Sequence, residues 1–173
     1  MKIRIAGVVS DSIVDGPGLR YALFVQGCPH HCPGCQNPQT HDPLGGFETT
    51  TDFLLSEIRS NPLLDGVTFS GGEPFLHATA LAELAREIKK LGLDVIVYTG
   101  YKWEDLIQAN REDWNALLSS VDVVVDGPFV QNLRSWNLRY RGSSNQRTID
   151  VQKSLAEGRV IEIQTFEHMP ACA

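Results

Sequence analysis

The sequence predicts an α/β fold, a partial, open (β/α) barrel built on a mainly parallel sheet. Three observations predict it. Short apolar runs that read as strands alternate with segments of helical periodicity. The strand-like runs at 21–25, 66–70, 94–98 and 121–125 are apolar enough to be buried on both faces, as parallel strands are. The chain has 173 residues, and a closed eight-unit barrel typically takes about 250. An open sheet of roughly four to six strands is therefore expected.

The elements follow in order. Val14-Asp15-Gly16-Pro17-Gly18-Leu19-Arg20 is dense in turn formers and runs into the strand at 21–25. Gly45-Gly46 marks a turn, and 51–59 carries Leu54, Leu55 and Ile58 on one helical face. After the strand at 66–70 comes the clearest helix, with Leu81, Leu84, Ala85, Ile88 and Leu91 on one stripe. Lys89 and Lys90 suit its negative end and Gly92 its stop. The strand at 94–98 precedes helical pieces at 103–109 and 114–118. A strand at 121–125 ends in Asp126-Gly127-Pro128, and 147–151 and 159–164 read as two further strands.

Composition narrows the possibilities. Hydrophobic residues make up 42% of the chain, enough for one domain spanning 1–173 with a sizeable core and a tail at 164–173. Fifteen Lys and Arg against 21 Asp and Glu give a formal charge of -6, which argues against a nucleic-acid partner. No run approaches transmembrane length, and the apolar stretch in 1–10 is short for a signal peptide. A soluble, reducing, cytoplasmic setting without membrane contact is expected.

Chemistry concentrates in Cys28-Pro29-His30-His31-Cys32-Pro33-Gly34-Cys35. Three thiols at CxxxCxxC spacing suit three corners of one iron–sulfur cube. The remaining cysteine, Cys172, is penultimate, has no matching partner and reads as a tail thiol. A 4Fe–4S cluster held by three thiolates leaves one iron open, and an open position on a metal points to chemistry. Structural zinc wants four ligands, commonly two CxxC knuckles, and one knuckle is present. Zinc and unliganded loop thiols stay open as alternatives.

In parallel α/β folds, sites lie at the C-terminal ends of strands. The cysteine loop, Gly71-Gly72-Glu73-Pro74, Tyr98 to Tyr101 and Asp126 all fall there. Two glycines let a ligand approach the backbone closely, and a carboxylate such as Glu73 accepts from an amine. Alone, that stretch is equally a plain turn after a strand.

Together the two stretches resemble the radical S-adenosylmethionine enzymes, which carry CxxxCxxC after the first strand and GGE after the second. The resemblance implies that Cys28, Cys32 and Cys35 hold a 4Fe–4S cluster. It implies further that S-adenosylmethionine chelates the open iron, with Glu73, Gly71 and Gly72 at its ammonium. The superfamily often has an aromatic residue before the last cysteine, and here that residue is Gly34. Cys-Pro-Gly-Cys instead resembles the glycyl-radical activating enzymes, as does the stretch Val14 to Arg20. Thr99-Gly100-Tyr101, Val125-Asp126-Gly127-Pro128-Phe129-Val130 and Arg141-Gly142-Ser143-Ser144-Asn145-Gln146-Arg147 are similar to the activators of anaerobic ribonucleoside-triphosphate reductases. The resemblance covers about 14–163.

It implies this chemistry: an electron from a reduced flavodoxin or ferredoxin enters the cluster and cleaves the sulfonium, and the 5′-deoxyadenosyl radical takes hydrogen from a backbone glycine of the reductase. An unfinished barrel offers a wide lateral mouth for that loop. Gly34 and Gln36 border the adenine by resemblance. Tyr98 either flanks the ligand or belongs to the core, and Asp126 either binds ribose or caps a turn. His30 and His31 read as solvated loop residues or as a shield for the cluster. Arg139, Arg141 and Arg147, with Ser143 and Asn145 beside them, meet the cofactor carboxylate, the partner or solvent. Another small radical enzyme, such as a different activase or a deazapurine synthase, and a zinc or iron–sulfur module without catalysis are the competing readings.

Overall fold

The protein is described by a computed structural model over residues 1–164, and Cys172 lies outside the described residues. Strand β1 (Lys2–Ser12) is followed by β2 (Arg20–Val25), a short β3 (Phe47–Thr50) and helix α1 (Thr51–Ser60). Then come β4 (Gly66–Gly71), α2 (Ala78–Lys89), β5 (Asp94–Tyr98), α3 (Trp103–Ala109) and α4 (Glu112–Leu118). The chain continues with β6 (Val123–Asp126), β7 (Arg147–Asp150) and α5 (Val151–Glu157).

All seven strands of the described residues form one open sheet in the order β3-β1-β2-β4-β5-β6-β7. Its centre, β2-β4-β5-β6, is parallel, and β1, β3 and β7 add antiparallel flanks. The open α/β sheet expected from the sequence is therefore present, with more than the expected four to six strands. The additions are β1 and β3. In β1 the alternation of Lys2, Ile3, Arg4 and Ile5 puts Ile3 and Ile5 in the core, the period-2 signal of a half-buried strand.

Strand alternation splits the apolar residues between two faces. Val95 and Val97 of β5 join Phe69 of β4 and the buried stripe of α2 in the main core. Ile96 turns to the other face with Val123 and Val125, and Tyr98 packs beside them. Helix α2 lies against α1, α4 and β5. Its stripe is Leu81, Leu84, Ala85 and Ile88; Leu91 is a correction, because the helix ends at Lys89 and leaves Leu91 39% exposed. The α1 N-terminus is held by the Thr50 hydroxyl, which accepts from the Phe53 N–H at 3.2 Å.

The C-terminal part also differs from expectation. Residues 159–164 form no strand, only a bridge between Ile149 and Glu162. Helix α5 comes first, because Asp150 caps it by accepting from Lys153 N–H and Gly158 ends it at φ 66°. No helix among the described residues is long and apolar enough to cross a membrane.

One charged side chain is buried in the frame. Arg20 has no exposed surface. Its guanidinium donates to the Thr68 hydroxyl at 2.7 Å, the Val67 carbonyl at 2.8 Å, the Pro17 carbonyl at 3.2 Å and the Asp94 carboxylate at 2.6 Å. It thereby ties the loop after β1 to the starts of β4 and β5.

Candidate active site

Parallel register brings the unusual stretches to one edge. Val25 pairs with Gly71, Phe69 with Val97 and Tyr98 with Val125. The cysteine loop, the Gly-Gly-Glu turn, Thr99 to Tyr101 and Asp126 to Pro128 all leave that edge.

The cysteine loop is held where it leaves β2 and where it returns. Gly27 N–H donates to the Thr40 carbonyl at 2.8 Å and Cys28 N–H to the His41 carbonyl at 3.2 Å. The buried Gln26 amide donates to the carbonyls of Gln39 and Asp42 at 3.0 and 2.7 Å. Inside the loop, Cys35 N–H donates to the Cys32 carbonyl at 3.1 Å, and Gly34 takes φ 72°.

Cys28, Cys32 and Cys35 are free, half-buried and open into one cavity of about 530 Å³. Burial pushes the Cys28 thiol up, while the backbone N–H groups of His30 and His31 pull it down. Asn37 N–H lies 3.4 Å from Cys35 Sγ. Among the described residues no three His, Cys, Asp or Glu side chains converge on one ion-sized point. A cube does not need that, because each sulfur meets its own iron. Soft thiolates with backbone N–H donors around them fit an iron–sulfur cluster.

The next wall is Gly71 and Gly72. Gly71 has φ 94°, and a Cβ there would meet Phe24 Cα at 2.6 Å; one on Gly72 would meet the Gly27 carbonyl oxygen at 2.3 Å. Side chains are thus excluded, and Gly72 and Glu73 N–H groups donate to Val25 and Gly27 carbonyls, each at 2.8 Å. Glu73 itself is fully buried. Its carboxylate accepts from Phe75 N–H at 3.0 Å, Gly100 N–H at 2.9 Å and the Thr99 hydroxyl at 2.9 Å, and contacts His30 Nε2 at 2.7 Å. Glu73 therefore binds the chain's own groups behind the cavity wall. His30 is not a solvated loop residue: its ring packs edge-on against Tyr101 at 4.5 Å. His31 is exposed and meets His41 instead.

Tyr98 and Gln36 line the cavity, and Gly34 lies outside its wall. The Tyr98 hydroxyl donates to the Tyr140 carbonyl at 2.8 Å, and burial pushes its phenol up, so it stays neutral. Asp126 faces elsewhere. It accepts from Trp103 N–H at 2.8 Å and pairs with Arg147, whose guanidinium also reaches Glu104 at 2.8 Å. Asp126, Glu104 and Arg147 border a second hollow with Asn145. Ser143 is buried and its hydroxyl accepts from Val130 N–H at 3.1 Å. Asn145 donates to the Pro128 carbonyl at 2.8 Å. Of Arg139, Arg141, Ser143, Asn145 and Arg147, only Arg141 lines the cavity, with one nitrogen donating to the Gln146 carbonyl at 2.8 Å, and Arg139 is exposed.

Residues 14–149 match the family described as 4Fe-4S single cluster domain. The chain belongs to that family. It is 36% identical over 143 residues to the anaerobic ribonucleoside-triphosphate reductase-activating protein of Escherichia coli K12, covering 78% of this chain and 90% of that protein. The phage T4 protein of the same description is 36% identical over 140 residues, covering 78% and 85%. The pyruvate formate-lyase-activating enzyme of Clostridium pasteurianum is 40% identical over 130 residues, covering 72% of this chain and 55% of that protein. A solved structure, QueE from Escherichia coli, overlaps loosely, with TM-score 0.46, 21% identity and coverage of 58% and 53%.

In this 4Fe-4S family member, sequence reasoning missed two parts of the site. One is Thr99, whose hydroxyl ties Glu73 to the end of β5. Its place in Thr99-Gly100-Tyr101 marked the stretch without giving that role. The other is the middle of the segment between β6 and β7, 131–140, whose Arg134 and Tyr140 help wall the cavity. No periodicity announces it, since it is an irregular excursion between β6 and β7.

Proposed function

We propose that this chain activates an anaerobic ribonucleoside-triphosphate reductase by one-electron reductive cleavage of S-adenosylmethionine, with hydrogen taken from a backbone glycine of the reductase. The observation that carries the reading is the opening of Cys28, Cys32 and Cys35 into one cavity walled by Gly71 and Gly72 at the ends of parallel strands. Cys28, Cys32 and Cys35 would each hold one iron of a 4Fe–4S cluster, and the fourth iron would have no protein ligand. When bound, the cluster and S-adenosylmethionine supply the carbon–sulfur cleavage and the hydrogen abstraction. One electron enters per molecule cleaved; methionine leaves, and the glycine hydrogen ends on 5′-deoxyadenosine.

The chain's residues bind and orient. Gly71 and Gly72 would present bare backbone to the cofactor's ammonium, and Glu73 fixes that backbone from behind through Gly100 and Thr99. Arg141 is a cation at the cavity suited to the cofactor's carboxylate. Tyr98 would flank the ligand as a neutral ring. Gln36 would border the adenine; Asp126, Ser143, Asn145 and Arg147 act by bracing the segment that closes the cavity. A reduced flavodoxin or ferredoxin in the cytoplasm would supply the electron.

The test is anaerobic mixing of the iron-loaded protein with reductant, S-adenosylmethionine and the reductase. An electron paramagnetic resonance doublet should appear on the reductase and collapse to a singlet when its glycines carry α-deuterium. A radical formed only on pyruvate formate-lyase would move the assignment to that substrate. 5′-Deoxyadenosine without a radical on either protein would remove the activase reading.

A further inference from the structure

We propose that Arg134 and Trp136, at the tip of the 127–146 segment, form a docking arm that seats the glycine-bearing loop of the partner reductase over the cavity. The proposal rests on the activase reading above. Trp136 is 85% exposed, whereas Trp103 and Trp114 are 5% and 6% exposed. One face of its indole is covered by the Arg134 guanidinium, 4.1 Å from the ring centroid. A lone exposed apolar residue needs no explanation, but three further observations bear on this one.

The tip is built to stay in place. Its base is closed by the Arg134–Ser143 bridge, by Ser144 N–H donating to the Leu133 carbonyl at 2.9 Å, and by the Gln146 amide, which bonds Gly142 N–H and the Gly127 carbonyl. The segment is also charged against the rest of the molecule. Between 127 and 146 stand Arg134, Arg139 and Arg141 and no carboxylate, in a chain of net charge -6. Finally, the tip lines the mouth of the cavity, and Val14, 73% exposed, supplies another apolar part of its rim.

Trp136 stands on the outer lining of the cavity and is still 85% exposed, so a small cofactor inside leaves most of the indole open. Whatever covers it comes from outside and is larger. The occupant is set by the chemistry beneath: a glycine must reach the cavity, so the chain flanking that glycine crosses the rim. That chain should place an apolar side chain on Trp136 and a carboxylate near the arginines. Trp and Arg are the residues most enriched among those dominating interface energies.

Trp136 also supplies the probe, since it is the exposed indole among the three. Acrylamide quenching of the iron-loaded protein's fluorescence should fall as reductase is added. Trp136→Ser and Arg134→Glu should raise the reductase concentration needed for half-maximal radical formation at least roughly tenfold, and Trp136→Phe, which keeps an aromatic face, should recover most of that loss. Arg134→Glu should also flatten the salt dependence of binding. Equal reductase dependence in the variants and the parent overturns the proposal and leaves the activase reading standing. So does quenching protection that grows with the protein's own concentration alone, because a second copy then covers the arm. Weakened S-adenosylmethionine binding in Trp136→Ser with unchanged reductase dependence overturns it too. Absence of any glycyl radical with the parent protein removes the activase reading first, and this proposal with it.

Discussion

Cys32→Ala leaves the chain folded and without its cluster. Iron in the anaerobically reconstituted protein should fall from about four per chain to below about one, and 5′-deoxyadenosine formation should drop to background, at least ~10³-fold below the parent. The size of the effect follows from geometry. One loop carries all three thiols, and the described residues hold no other cysteine. Two remaining thiolates leave two corners of a cube without protein. The fold should survive, because the Cys32 group used structurally is its backbone carbonyl, which accepts from Cys35 N–H and remains in alanine. Circular dichroism and iron analysis on one sample separate the two outcomes. Cys172→Ala is the matched control and keeps its iron. A Cys32→Ala protein with full iron and parental cleavage would show that this loop does not hold the cluster.

Arg20→Met should lower stability by about 3–5 kcal/mol, the usual loss when one partner of a buried ion pair is removed. The side chain has no exposed surface, and its Asp94 partner is 17% exposed. Methionine fills part of the space but leaves the Asp94 carboxylate without its cation and removes a donor from the Pro17 and Val67 carbonyls and from the Thr68 hydroxyl, which keeps its own bond to the Asp15 carbonyl. For a chain of this size the melting temperature should fall by roughly 6–20 °C. The Arg20→Met, Asp94→Leu double variant should recover part of the loss, because no unpaired charge remains. Urea unfolding of the four proteins gives the coupling directly. A loss below about 1 kcal/mol for Arg20→Met would mean that the pair contributes little beyond the packing of its stem.

The sequence showed the parallel centre because its buried strands are apolar at most positions on both faces and α2 carries a full stripe. It hid the flanks. β3 has no buried residue, so no hydrophobic pattern marks it. α5 is a seven-residue helix announced by its Asp150 cap and Gly158 stop, not by a stripe, and the strand Arg147–Asp150 runs straight into it, so a strand expected over 147–151 overlaps its first residue. In the site, residue types at spacing marked the cysteine loop and the two glycines. Direction was not legible. Glu73, Asp126 and Arg147 sit at the right strand ends, yet their polar atoms are bonded by the chain itself, and only three-dimensional pairing reveals that. Trp136 carries no motif at all and became visible only through its exposure.

The most direct measurement is Mössbauer spectroscopy of the protein loaded with ⁵⁷Fe, recorded before and after S-adenosylmethionine is added. Three thiolates on a four-iron cube predict that about one iron in four changes its parameters on addition while the others do not. Four irons that stay unchanged with the cofactor bound, or a fourth protein side chain already on the remaining iron, would contradict the account.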